Sequence, residues 1–98
     1  MIRFMERVRR ATFKDMAYKT IFELFASAAE ELGEIANEMT IEEHTYGHDH
    51  KQVKEGVKGE SVDLMICALA LFFARGGTID ELIAYGNRKL DKWEASQK

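Results

Sequence analysis

The sequence predicts an all-α protein, a bundle of three main helices with a short N-terminal helix, completed by oligomerisation. The 98 residues contain no proline, and apolar residues recur at intervals of three and four along most of the chain. No segment shows the alternation of apolar and polar residues that is typical of a half-buried strand. Glycines mark short breaks between the predicted helices: Gly47, Gly56, Gly59, Gly76 and Gly77.

The first two predicted helices lie in the N-terminal half of the chain. A short helix covers Ile2 to Arg10. Thr12 followed by Asp15 is similar to a helix N-cap signature, which places the start of a long second helix nearby. That helix runs to about Met39, because its apolar residues form one broad stripe at about 100° per residue: Ile21, Leu24, Phe25, Ala28, Leu32, Ile35, Ala36 and Met39. The aromatic residues Phe22 and Phe25 are expected in the core.

The third predicted helix is the most apolar segment of the chain. It begins between Gln52 and Gly59 and runs to Arg75. Its part over residues 62–74 is apolar on every side apart from Asp63, so it should be buried all round. A chain of 98 residues can hardly achieve this burial alone, and we therefore expect copies of the chain to associate through this helix.

The fourth predicted helix follows a glycine pair. Gly76 and Gly77 end the third helix, and the sequence Thr78-Ile79-Asp80-Glu81 predicts a capping box. The residues after it form an amphipathic stripe that is expected to pack against the other helices: Ile79, Leu82, Ile83, Gly86, Leu90 and Trp93.

Composition limits the class of protein. Residues 1–98 are expected to form a single domain, and 46% hydrophobic with 32% charged residues is ordinary for a globular chain. The net charge of −3 argues against nucleic acid as a partner. Two locally basic segments, residues 7–10 and 51–58, are interpreted first as solvated surface and second as possible anion contacts.

Cysteine use and hydropathy indicate a soluble cytoplasmic protein. Cys67 is the single cysteine and is interpreted as a small buried hydrophobic residue. The N-terminal residues contain no apolar core long enough for a secretory signal. The apolar run over residues 64–74 is shorter than the roughly 20 residues needed to cross a bilayer. We expect no membrane partner.

Two acidic pairs share a three-residue spacing, Glu31/Glu34 in the second helix and Glu60/Asp63 in the third. Residues three apart lie on one helical face. Glu31 is the carboxylate most nearly directed towards the interior. Asp63 lies among apolar residues, where burial of a charge is costly unless it is paired or bound to a metal. Four carboxylates brought together would repel one another, so the quartet predicts a Mg²⁺ site between facing helices.

The alternatives to this site are a solvated acidic face and a zinc site elsewhere. Taken alone, the Glu31/Glu34 pair is better explained as two solvent-exposed residues on the surface of the helix. Asp63 favours a metal site instead, because no basic residue lies in its apolar segment. A zinc site at His44, His48 and His50 is disfavoured, because only the first two have helical spacing and no cysteine supports them. We interpret that segment as a polar loop.

The residues around the acidic pairs resemble a known family. Glu30-Glu31-Leu32-Gly33-Glu34, followed after 25 intervening residues by Glu60-Ser61-Val62-Asp63, is similar to the EExxE…ExxD signature of MazG-like nucleoside triphosphate pyrophosphohydrolases. These belong to the all-α NTP pyrophosphatase superfamily. The resemblance covers the chain from about Phe22 to Trp93. It implies an enzyme that holds Mg²⁺, or Mn²⁺ as a substitute, through four ligands: Glu31, Glu34, Glu60 and Asp63.

The same resemblance implies a substrate-binding role for the last helix. An Asn-x-Lys-x-x-Arg/Lys pattern often lies near the substrate in this family, and Asn87, Lys89 and Lys92 match it. Lys89 and Asn87 flank the apolar stripe on opposite sides, so at least one could reach a pocket between helices. The alternative is a solvated helix face.

The implied reaction is hydrolysis of nucleoside or deoxynucleoside triphosphates to monophosphate and pyrophosphate, in a pool-cleaning role. A nearby carboxylate, Glu30, Glu34 or Glu38, would take the proton of the attacking water. Family members build the pocket between subunits, as homodimers or homotetramers. Two rival functions stay open: a non-enzymatic helical interaction module, and phosphoribosyl-ATP hydrolysis.

Overall fold

A computed structural model describes residues 1–44 and 56–97, and the described part of the chain consists of four helices without strands. The all-α fold class is therefore confirmed. The helices are α1 (Ile2–Asp15), α2 (Ile21–His44), α3 (Gly56–Ala74) and α4 (Ile79–Ser96). The most extensive packing joins α2 to α3, whereas α1 packs on α3 and makes a smaller contact with α4.

The N-terminal helix is longer than the sequence predicted. It continues past Arg10 to Asp15, and Thr12 lies within it instead of capping the next helix. Thr12 is buried, and its hydroxyl donates a hydrogen bond to the carbonyl oxygen of Val8 at 2.8 Å. A threonine can satisfy its hydroxyl in this way inside a helix. The predicted N-cap at Thr12 is therefore wrong.

The true start of α2 is a capping box formed by Thr20 and Glu23. The amide of Glu23 donates to the Thr20 hydroxyl at 3.1 Å, and the Thr20 amide donates to the Glu23 carboxylate at 3.0 Å. The capping box predicted for the last helix is confirmed, because Thr78 and Glu81 exchange the same two bonds at 3.1 and 3.0 Å. Each box satisfies amides that a helix start would otherwise leave without partners.

The hydrophobic core of the single chain is small. Its buried centre consists of Met5 and Val8 from α1 together with Phe73 of α3, which is 0% exposed. The radius of gyration is 16.2 Å, compared with about 13 Å for a compact domain of similar length. The partly buried residues that surround this centre come from all helices except α2: Phe4, Leu69, Phe72, Ile79 and Leu82.

Several side chains that were expected in the core are exposed in the single chain. Phe22 is 73% exposed, Phe25 54% and Trp93 62%. The apolar segment of α3 is also only partly covered, and its most exposed members are Val62, Met65 and Ile66. The expectation that this segment is buried on every side is not met within one subunit, because helices cover only part of its circumference.

The turn between α3 and α4 sets the direction of the last helix. The two helix axes are bent by 119° at this point. Gly76 has a positive φ of 85°, which glycine adopts without steric cost. At Gly77 a Cβ atom would collide with the ring of Phe72. In the described residues no single helix is long and apolar enough to cross a membrane, although α3 and α4 taken together reach that length and composition.

We expect Gly77→Ala to destabilise the fold by about 1–3 kcal/mol, because the packed ring of Phe72 must move to accept the methyl group. Gly33→Ala is the matched control, since Gly33 is exposed in α2 and a Cβ there meets no atom within 4 Å. That control should stabilise the helix by about 0.5–1 kcal/mol. Chemical denaturation of both variants measures the difference, and equal stabilities would contradict the tight turn.

Candidate metal centre

Three of the four predicted ligands meet where α2 packs against the first turns of α3. Glu31 projects from α2, and Glu60 and Asp63 project from α3. Each offers a carboxylate oxygen, and these oxygens all lie within 4.8 Å of one another. All three side chains are half-buried. The centre lies in the helix pair with the most extensive packing, α2 with α3.

Some carboxylate oxygens in this region lack hydrogen-bond partners although they are shielded from solvent. One oxygen each of Glu31, Glu38 and Glu60 is buried and receives no hydrogen bond. A buried polar atom without a partner is unfavourable and calls for an explanation, such as a bound ion. Carboxylate oxygens are the ligands that Mg²⁺ and Mn²⁺ prefer. The residues at this centre therefore fit a hard divalent cation.

The crowding of acids changes the protonation of Glu60. Partial burial is the largest cause, and hydrogen bonds and negative charge from Glu34 and Glu31 act in the same direction, so the pKa of Glu60 rises to about 7. The pKa of Glu31 is also raised, first by burial and then by the charges of Glu34 and Asp63, although its hydrogen bond with Glu60 opposes this. A cation would replace the shared proton and relieve the repulsion.

Within the described residues, no ion pair joins a basic side chain to the three acids of the centre. The one ion pair within residues 1–44 and 56–97 joins Lys19 to Asp15, with Nζ and Oδ2 3.5 Å apart, and it involves neither Glu31 nor Asp63. In proteins a group of buried carboxylates is normally balanced by paired cations or by metal. A divalent cation is one way to supply this balance.

The remaining acidic residues of α2 differ in how they face the centre. Glu34, the fourth predicted ligand, is exposed but lies close enough to hydrogen-bond with Glu60. Glu30, predicted with Glu34 as a catalytic residue, is exposed and lies about 100° around the helix from Glu31. Glu38 is half-buried and follows Glu31 by two turns on the same face. Its seven-residue spacing from Glu31 is the sequence signal that could have singled it out.

The predicted substrate-binding residues lie on α4, away from the carboxylates of their own chain. Asn87, Lys89 and Lys92 are exposed. The start of α4 packs near Phe73, which is separated from Glu60 by about 20 Å along α3. No hydrogen bond or ion pair links the three residues to the acids in the described structure.

The acids of the centre also affect the thiol of Cys67. Cys67 follows Asp63 by one turn of α3, and burial, then the charges of Glu31 and Asp63, raises the pKa of its thiol. The positive charge of Lys19 acts on Cys67 in the opposite direction. Lys19 lies in the turn between α1 and α2 and pairs with Asp15.

The histidine segment adds nothing to this centre. His48 and His50 lie outside the described residues, as does Tyr46 in the same connection. The side chain of His44, at the end of α2, also falls outside the description. The zinc alternative and the interpretation as a polar loop therefore stay predictions.

We expect Mg²⁺ or Mn²⁺ to stabilise the protein against thermal unfolding, because the cation binds the folded carboxylates and not the unfolded chain. At a concentration of about 100 times the dissociation constant the gain is about 2.7 kcal/mol. Asp63→Asn and Glu31→Gln should abolish the gain. Asp91→Asn, an exposed position on α4 with the same change in charge, should retain it. A gain that survives in Asp63→Asn would place the metal elsewhere.

Comparisons with known proteins add no support for a function, so the geometry of the carboxylate centre is the main support. No protein-family model, curated protein or solved structure matches the chain. The resemblance to MazG-like pyrophosphohydrolases therefore rests on the two acidic motifs and their helical setting, and family membership stays a prediction.

Proposed function

We propose that this protein is a divalent-metal-dependent nucleotide pyrophosphohydrolase, which cleaves nucleoside or deoxynucleoside triphosphates to monophosphate and pyrophosphate. The observation that carries the proposal is the meeting of Glu31, Glu60 and Asp63 at one point between α2 and α3. Shielded carboxylate oxygens without partners support it. The spacing of the acidic motifs supports the choice of a triphosphate as the substrate.

When bound, Mg²⁺ or Mn²⁺ supplies charge neutralisation for the phosphates and lowers the pKa of a bound water. Glu31, Glu60 and Asp63 would hold the cation. The packing of α2 on α3 keeps these carboxylates in place before substrate arrives, which reduces the reorganisation that the reaction needs.

A further carboxylate at the centre takes the proton from the attacking water. Glu34 lies beside Glu60 and is open to solvent, so a water molecule can reach it. Glu38 is half-buried with one oxygen free of partners. The water oxygen bonds to a phosphorus atom of the bridge between the α and β phosphates, and the bond from that phosphorus to the bridging oxygen breaks. The products are the monophosphate and pyrophosphate. We propose Glu34 as the general base, with Glu38 and Glu30 as the alternatives.

We propose further that the active unit is a homo-oligomer, a dimer or a tetramer. The exposed apolar residues of α2 and α3, the small core and the radius of gyration of 16.2 Å support a chain that buries additional surface on association. Lys89 forms no ion pair with Glu31, Glu60 or Asp63 of its own chain in the described residues. Association would allow Lys89 of the partner subunit to reach the phosphates, with Asn87 and Lys92 beside it.

The exposed apolar surface is also compatible with the second candidate, a helical interaction module without catalysis. A module needs the surface but not the shielded, partnerless carboxylate oxygens. These oxygens favour the enzyme. Phosphoribosyl-ATP hydrolysis uses the same bond chemistry and differs only in the substrate.

We expect the purified protein with Mg²⁺ to release pyrophosphate from at least one member of a panel of ribo- and deoxyribonucleoside triphosphates that also includes phosphoribosyl-ATP. Asp63→Asn should lower kcat/KM at least about 100-fold, because loss of a metal ligand exceeds the effect of losing an outer-shell group. Asp91→Asn should behave like the unchanged protein. Inactivity towards the whole panel would support the module, and cleavage of phosphoribosyl-ATP alone would identify the other hydrolase.

We expect mixed oligomers to regain activity when subunits with Asp63→Asn and with Lys89→Ala are refolded together. If each pocket combines the acids of one chain with Lys89 of the partner subunit, a dimer mixture recovers about one quarter of the activity. The matched control mixes Asp63→Asn with Glu60→Gln, which alters the same half of every pocket and should recover nothing. Full activity of Lys89→Ala by itself would remove Lys89 from the site.

A further inference from the structure

A concave surface lies on the side of α1 that meets the start of α4. It is an open cleft of about 720 Å³ lined by Glu6, Arg9, Arg10, Phe13, Lys14 and Ile79. Clefts of roughly 300–1,000 Å³ are typical of sites for small molecules. None of these residues belongs to the carboxylate centre between α2 and α3.

The basic side chains of α1 are crowded on one side of the helix, where they repel one another. Arg3, Arg7, Arg10 and Lys14 fall within an arc of about 60° on the exposed side of the helix. Neighbouring like charges three or four positions apart destabilise a helix. Arg3 also lies at the positive end of the helix dipole, and no acidic residue occupies the first turn. An anionic ligand would offset this repulsion on a chain whose net charge is −3.

The cleft also contains an accessible aromatic ring. Phe13 is 44% exposed, and the guanidinium carbon of Arg9 lies 4.7 Å from the centroid of its ring. Ile79, half-buried beside the core, lines the same cleft. A planar ring can stack on such a pair of aromatic and guanidinium groups. The cleft thus offers an apolar, stacking part next to a cationic part.

We propose that this cleft binds a nucleotide at a site that is separate from the carboxylate centre and does not require a divalent cation. The phosphates contact Arg10 and Lys14, which form no ion pair within the described residues. The base stacks against Phe13 and Arg9. Glu6, the one acid of the cleft, accepts hydrogen bonds from an amino group of the base or from a ribose hydroxyl and so orients the nucleotide.

The test is calorimetric titration of the full chain with AMP, ATP and inorganic pyrophosphate in buffer with EDTA. Both nucleotides should bind, and Arg10→Gln should weaken them about tenfold or more. Phe13→Leu should weaken the nucleotides but leave pyrophosphate unchanged. Arg10→Lys should restore much of the binding, which separates a lost charge from a lost fold. Helical circular dichroism and the thermal midpoint confirm that each variant is folded.

Arg3→Gln is the matched control, because Arg3 belongs to the same basic stripe but does not line the cleft. Equal weakening by Arg3→Gln and Arg10→Gln would indicate a diffuse electrostatic effect and would overturn the proposal. Lack of binding in EDTA would also overturn it. Asp63→Asn should leave this binding unchanged, even if the enzyme proposal is wrong. A loss of binding in Asp63→Asn would instead place the nucleotide at the carboxylate centre.

Discussion

Repulsion among the carboxylates between α2 and α3 is the constraint on which the rest of this molecule depends. The most extensive helix packing in the chain brings Glu31, Glu60 and Asp63 together, although unpaired negative charges in a half-buried place oppose that packing. The free chain relieves part of the repulsion by keeping a proton, since the pKa of Glu60 is raised to about 7. A divalent cation relieves it more completely, because it attracts every carboxylate at once.

The small core is the second constraint. Among the described residues, the buried apolar side chains are Met5, Val8, Leu24 and Phe73, while Phe22 and Trp93 are largely exposed. A chain of this length can bury only a limited fraction of its surface by itself. Helix α4 leaves α3 at 119° and therefore extends the molecule. The same geometry leaves apolar faces of α4 open to solvent, including Trp93 at 62% exposed.

Basic and acidic residues are distributed unevenly among the helices, and the net charge of −3 does not show this. The segment Ile2–Asp15 contains five basic and two acidic residues, whereas α2 contributes Glu31 to the carboxylate centre. The acidic centre between α2 and α3 and the basic cleft beside α1 share no residue. An acidic centre suited to metal and a basic cleft suited to phosphate can therefore exist in one small, mildly acidic protein.

The order and type of the helices could be predicted from the sequence, because helical periodicity and capping chemistry are local. The Thr78–Glu81 box and the glycine break were predicted correctly for this reason. Thr12 was wrongly predicted to be a helix N-cap. Threonine can cap a helix or can bond to a carbonyl oxygen within its own helix, so residue type alone does not distinguish the two roles. The neighbours of a helical face depend on contacts distant in sequence, so the exposure of Phe22 and Phe25 could not be foreseen.

By itself, the sequence determined that four acids lie on two helices at the spacing of one turn, because side-chain direction along a helix follows from the backbone repeat. Only the tertiary structure decided which carboxylates meet. It placed Glu31 with Glu60 and Asp63, left Glu30 exposed and directed one oxygen of Glu38 inward. Rotation of one helix against another depends on the packing of both surfaces, and no local pattern contains that information.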